Sequence, residues 1–295
     1  MRSRLFAMPA LVALAAIALA AQAPSQPPRV TNEAWTKPFP AFRIVGNLYY
    51  VGTYDLSSYL ITTPEGHILI NTGVDSSAPL IRANVESLGF KVSDIKLLLA
   101  THGHWDHVGA MAAMKRLTKA RMLMHEADAP MLEDGGVTDF RFPQGRPQMY
   151  EPITVDRRLK DGDTIQLGKT ELTAHHHPGH TKGSTSFTFT TQDSGRSYRV
   201  LIANMNGIND GVKLLDSPGY PNIVQEYART FEKQKQLSGD VFVSSHAGQF
   251  RLHEKYKPGD PYDPNRFVDP AGYARGVQRL ERAYLDQLQK ERQGN

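Results

Sequence analysis

Chemistry concentrates in one short stretch, where His102, His104, Asp106 and His107 fall within six residues, separated only by Gly103 and Trp105. Imidazoles and a carboxylate packed this closely form a donor set for metal. Residues two apart in an extended or turning chain point to the same side, so His102 and His104 can share one ion. Asp106 and His107 then turn past it toward a second. The chain has no cysteine, so thiolate is not among the ligands, and imidazole with carboxylate suits zinc rather than iron–sulfur or Cu(I) chemistry. Zinc held by three protein groups keeps an open position and lowers the pKa of bound water to about 7, giving hydroxide at neutral pH. Asp106 can orient that hydroxide as well as bind metal.

The elements around the stretch are suited to holding it. Residues 95–100 are an almost wholly apolar run of strand length, and a strand that hydrophobic is covered on both faces. Polar clusters at the carboxyl end of such strands are where α/β proteins place their sites. Upstream, alternation over residues 42–51 and 58–62, with a turn at Pro64, Glu65 and Gly66 into residues 67–71, predicts a β-meander. Ser76 is the expected cap of a helix through Leu88, stopped by Gly89.

Downstream the pattern repeats more loosely. Residues 108–117 read as helix, 121–125 as strand and 126–132 as helix, and 134–150 form a long Gly/Pro-rich loop of a kind that is usually functional or mobile. Strands over 164–167, 171–175, 184–191 and 199–203 follow, then a helix over 222–237 with Ile223, Tyr227 and Phe231 on one stripe. A short strand over 240–244 leads to His246, and Pro270 opens a last helix whose Val277, Leu280, Tyr284 and Leu288 share a face. Strands in two batches, each followed by helices, predict an α/β fold of two packed mixed sheets with external helices, an αβ/βα sandwich.

Arg2 and Arg4 precede an apolar, Ala-rich run over residues 5–21, too short for a comfortable membrane span. Ala21, Gln22 and Ala23 offer the small-x-small pattern of a signal peptidase, so residues 1–23 are expected to be a signal peptide. Pro24 would follow that bond, which leaves a cut after Ala20, or an uncleaved anchor, as the alternatives. Residues 24–295 then form a single catalytic domain with a periplasmic or secreted location. Without cysteine no disulfide framework supports it. Losing residues 1–23 removes two arginines and no acid, taking formal charge from +4 to +2. With no Lys/Arg block, this argues against nucleic acid as a partner. A monomer without stable membrane association after cleavage is expected.

The pattern His-x-His-x-Asp-His after an apolar strand resembles the signature of the metallo-β-lactamase superfamily, and the similarity runs from about Asn47 to His246. His180, within residues 177–184, matches that family's Gly-His-Thr-x-Gly segment, and His246, preceded by Ser244 and Ser245, matches its terminal histidine. The resemblance implies the metallo-β-lactamase fold and two zinc ions per chain. It puts His102, His104 and His180 on the first ion and Asp106, His107 and His246 on the second. His107, together with Asp134-Gly135-Gly136, Phe140, Tyr150-Glu151-Pro152, Val155-Asp156-Arg157 and Asp161-Gly162-Asp163, resembles subclass B3. Members acting on thioesters or lactones typically bridge the ions with an aspartate at the end of a strand between the last two histidines, and residues 201–207 contain no acid.

The implied activity is hydrolysis of the β-lactam amide of antibiotics. The alternatives are another exported metallohydrolase acting on an ester, lactone or sulfate ester, and a zinc-binding or storage protein without catalysis. Phe140 and Phe142 are expected to cover the substrate or else to anchor their loop. Asn206 or Asn209 would donate to its carboxylate in place of the serines common near Met205 in B3 relatives, which also commonly carry a disulfide. Asn71, where many relatives have Asp, is expected to affect metal support. His175, His176 and His177 read as structural, with contact to metal or substrate as the alternative, and His67, His125 and His253 read as ordinary surface or turn residues.

Overall fold

The expected meander forms: β1 (Phe42–Val45), β2 (Leu48–Tyr50), β3 (Tyr59–Thr63) and β4 (Gly66–Ile70) pair antiparallel in sequence order in the computed structural model. It describes residues 28–142, 145–205 and 207–294, so the expected signal peptide over residues 1–23 lies outside the described residues. After β4 the chain crosses over through α1 (Ala78–Ser87) to β5 (Ile95–Leu99), which pairs parallel to β4. Next come α2 (Trp105–Val108), α3 (Met111–Thr118), β6 (Arg121–His125), α4 (Ala129–Glu133) and β7 (Arg157–Leu159). β5, β6 and β7 are parallel neighbours, so the first sheet has seven strands in chain order.

The second sheet is built from β8 (Thr164–Leu167), β9 (Thr170–His176), β10 (Thr185–Asp193) and β11 (Arg196–Ala203), all antiparallel. After α5 (Ile223–Gln236), β12 (Val241–Ser244) adds beside β11 in parallel, and α6 (Leu252–Lys255) and α7 (Pro270–Arg292) close the chain. Both sheets are mixed, as expected. Among the described residues no helix is long and apolar enough to cross a membrane.

Period-two alternation explains the packing. Ile68, Ile70, Leu97 and Leu99 enter the core shared with Leu172, Phe187, Val200 and Ile202 of the second sheet. Leu69 and Leu98, between them, enter a separate core with Ile81, Val85, Met111 and Met114 of α1 and α3. β5 is therefore apolar on both sides because it serves two cores. On the outer face of the second sheet, Tyr227 and Phe231 of α5 lie 5.6 and 5.5 Å from the ring of Tyr284 in α7.

Some expectations fail. The helix expected over residues 108–117 is two helices, with the break at Gly109 and Ala110. β7 was not anticipated. His67 and His125 are buried, not surface residues: His67 packs edge-on against Phe90, and the His125 ring stacks 3.8 Å from that of His176. His253 is half-buried, stacked on Tyr54 with Nε2 2.7 Å from its carbonyl.

Candidate metal centre

Strand ends bring the ligands together. His102 and His104 leave the carboxyl end of β5, with His104 in the N-cap position of α2, whose first turn carries Asp106 and His107. His180 lies in the connection from β9 to β10, and His246 follows β12 at the start of a 3-10 turn over Ala247–Phe250. The ring centroids of His102, His104 and His180 lie 4.9, 4.8 and 4.7 Å apart pairwise, and their ligand atoms lie within 4.8 Å of one another. His102, Asp106 and His107 meet the same distance limit. His246 joins them through Asp106, whose Oδ2 lies 3.1 Å from His107 Nε2 and 3.6 Å from His246 Nε2. The rings of His107 and His246 are 5.0 Å apart. All six residues named from the sequence thus converge, with His102 common to both ligand groups and Asp106 linking His246 to the second.

The environment favours the neutral form of the first trio's imidazoles and the ionised form of Asp106. Burial, with repulsion from neighbouring cationic groups, holds His102 and His104 well below the usual histidine range, and burial takes His180 down to about 4. Burial alone would raise the Asp106 pKa, but His107, His246 and His102 around it outweigh that and hold the carboxylate well below its usual range. Burial pulls His246 down too, yet Asp106 and Asp55 on its two sides raise it to about 9. A proton therefore occupies that edge of the cluster until a cation replaces it.

Neighbours set which nitrogen faces inward. His180 Nδ1 donates to the carbonyl of Gly207 (2.8 Å), and His246 Nδ1 donates to Asp55 Oδ2 (3.0 Å), which leaves Nε2 of each for the centre. Such outer partners raise ligand basicity and fix the tautomer. His104 Nε2 and His107 Nδ1 are buried without a hydrogen bond, the former with Asp139 Oδ2 at 3.7 Å. Three imidazoles kept neutral by burial, a carboxylate set against two more histidines, and buried ring nitrogens without a hydrogen bond are a donor set that fits zinc.

A sequence model of the family described as "Metallo-beta-lactamase superfamily" matches residues 52–246, which include all six of these side chains. The chain belongs to the metallo-β-lactamase superfamily. Among solved members it is similar to a class B3 di-zinc enzyme from an Alaskan soil metagenome, at 50% identity and a TM-score of 0.87, over 89% of this chain and 99% of that one. It is also similar to a metallo-β-lactamase from Elizabethkingia meningoseptica, at 47% identity and a TM-score of 0.89, over 92% of this chain and 100% of that one. The chain spans about half the length of the curated relatives it matches. One is a hydroxyacylglutathione hydrolase of Rhodopseudomonas palustris (strain BisB5), 29% identical over 136 residues, 46% of this chain and 44% of that protein.

The expected substrate contacts divide. Phe142 is exposed on the long loop, with the guanidinium of Arg146 4.1 Å and that of Arg141 5.3 Å from its ring. Phe140 is buried edge-on against Tyr220 and anchors the loop, so its substrate role is not supported. Asn209 is turned into the protein: its Nδ2 donates to the His180 carbonyl (2.8 Å) and its Oδ1 faces Arg141 Nη1 (3.5 Å). It braces a ligand where a substrate contact was expected. Asn206 lies outside the described residues. Asn71 does support the centre, since its Oδ1 accepts from the backbone N–H of Thr101 at 2.9 Å, next to His102. His175 and His176 bond Thr188 Oγ1 and the Lys182 carbonyl, and His177 is buried beside them; none of the three belongs to either trio.

Sequence reasoning missed the residues that hold the ligands. Asp55 comes from the loop after β2, which clips onto His246 through an antiparallel bridge between Leu56 and His246. Trp35, from the Pro-rich leader, donates to Asp55 (3.1 Å) and lies edge-on to Trp105 at 5.6 Å. Neither stands near a motif, and nothing in the sequence singled either out.

Proposed function

We propose that this chain is an exported class B3-type metallo-β-lactamase, which binds two zinc ions on the six converging residues and hydrolyses the β-lactam amide. The observation that carries this reading is the convergence of the six side chains: two ligand groups share His102, and Asp106 links the second to His246, at the seam of a fold shared with class B3 enzymes. Zinc at these places would supply a nucleophile at neutral pH and an electrophile for the amide carbonyl. His102, His104 and His180 would hold the first ion, and Asp106, His107 and His246 the second. Asp106 keeps its negative charge at working pH and can accept a hydrogen bond from the attacking water, which aligns a water lone pair with the carbonyl. Asp55 and the Gly207 carbonyl keep His246 and His180 turned inward. Phe142 offers an exposed aromatic face on the long loop, while the Arg141 guanidinium is held by the Asp139 carboxylate.

The absence of an acid over residues 201–207 supports an amide over a thioester substrate. There β11 ends at Ala203, and Asn204 donates its Nδ2 to the carbonyl of Thr101 at 3.1 Å. Location outside the cytoplasm after removal of residues 1–23, and a monomeric state, belong to the same proposal. The test is a panel of a penicillin, a cephalosporin, a carbapenem, a glutathione thioester and a lactone, assayed with zinc-loaded and chelator-stripped protein. Zinc-dependent opening of at least one β-lactam is expected. Turnover of the thioester or lactone alone would move the chain to the alternative hydrolase, and no turnover at all would leave a zinc-binding protein.

A further inference from the structure

Asp128 follows β6 in the N-cap position of α4, yet its side chain makes no capping bond to that helix. An aspartate in this position ordinarily satisfies a donor of its own helix. Here the buried carboxylate is turned away to two distant loops instead. Its Oδ2 accepts from the backbone N–H of Gly103 (3.0 Å) and from the hydroxyl of Thr181 (2.7 Å), and its Oδ1 accepts from the backbone N–H of Gly183 (2.6 Å). Gly103 lies between His102 and His104, and Thr181 follows His180 directly. One carboxylate therefore ties together the two loops that carry the whole first trio.

The glycines of both motifs are explained by the same contact. A Cβ at Gly103 would lie 2.5 Å from the Met131 side chain and 3.0 Å from that of Leu132, and a Cβ at Gly183 would lie 2.6 Å from the Asp128 backbone nitrogen. At Gly183 only bare backbone lets the Asp128 backbone approach closely enough for the clamp to close, while at Gly103 the flexible Met131 side chain would have to give way. Tyr150 completes the hold, its hydroxyl donating to the Gly103 carbonyl at 2.8 Å. Hydrogen bonds to an ionised acceptor are stronger than neutral ones, and metal ligands must be placed within about 0.2 Å.

We infer that Asp128 is a positioning residue for zinc, setting the separation of His102 and His104 from His180 through Gly103, Thr181 and Gly183. The inference rests on the ligation read above. It is tested by zinc affinity of metal-stripped protein, measured in competition with a chromophoric chelator. Asp128→Asn keeps the shape but replaces one acceptor with an N–H₂ that opposes a donor, and a loss of roughly 10–100-fold in affinity is expected. Thr181→Val removes one of the clamp's bonds and is expected to lose less; it carries the test if Asp128→Asn does not fold. Val85→Ala, in the core behind the first sheet, is expected to lower the unfolding temperature of the stripped protein while leaving zinc affinity at the wild-type value. Wild-type affinity in both clamp variants, or an equal loss in Val85→Ala, overturns the clamp and leaves the ligation standing. A wild-type protein that takes up no zinc overturns both.

Discussion

Asp106 lies against His107 and His246. Asp106→Asn preserves shape but removes the charge they share, so turnover is expected to fall by roughly 10²–10⁴-fold, with a smaller loss of unfolding temperature in the stripped protein from the broken pair with His246. Steady-state kinetics beside a thermal melt would check this, and unchanged turnover would remove Asp106 from its role. The histidines make a second test. His180, His125 and His177, taken by burial to about 4, 4 and 3, contribute stability that is present above the usual histidine value of 6.5 and lost as pH falls toward those values. His246, raised to about 9, has the opposite sign: its contribution is present below 6.5 and lost as pH rises through about 9. The urea midpoint of stripped protein is expected to peak near neutrality and fall on both sides, with zinc abolishing the alkaline loss. A flat profile would contradict the burial and pairing of these groups. His102, His104, Asp106 and His107 were legible from type and spacing alone, whereas His180 and His246 were legible only through the family resemblance. Asp55 was not, because it meets His246 across 191 residues of chain.

At the level of elements, legibility followed apolar pattern. β5 and β4 could be read because their alternate residues feed two cores, and α5 because Tyr227 and Phe231 form a stripe. β7 could not: its Arg-Arg-Leu sequence has no strand pattern, and only parallel pairing to β6 makes it one. The sequence over residues 24–40 is Pro-rich and carries no strand or helix period, yet its short 3-10 turn over Glu33–Trp35 places an indole against Asp55 and Trp105. Trp35→Phe keeps a ring near Trp105 but removes the bond to Asp55, worth about 1 kcal/mol. Zinc affinity measured by chelator competition is expected to drop roughly fivefold if that cost falls wholly on the bound state. An unchanged value would mean that the leader only covers the site.

Across the whole molecule, the centre exists only where the two sheets meet. His102, His104, Asp106 and His107 come from the end of β5 in the first sheet, while His180 and His246 come from strand ends of the second. The two-batch strand pattern foretold two layers, but not how their strand ends would meet, because that depends on cores formed between residues far apart in sequence. The most direct single measurement is a zinc titration of chelator-stripped protein, with opening of a chromogenic cephalosporin followed at each addition. The account expects no turnover in the stripped protein and a rate that climbs to a plateau at two zinc ions per chain. Turnover without metal, or none at full zinc occupancy, would contradict it.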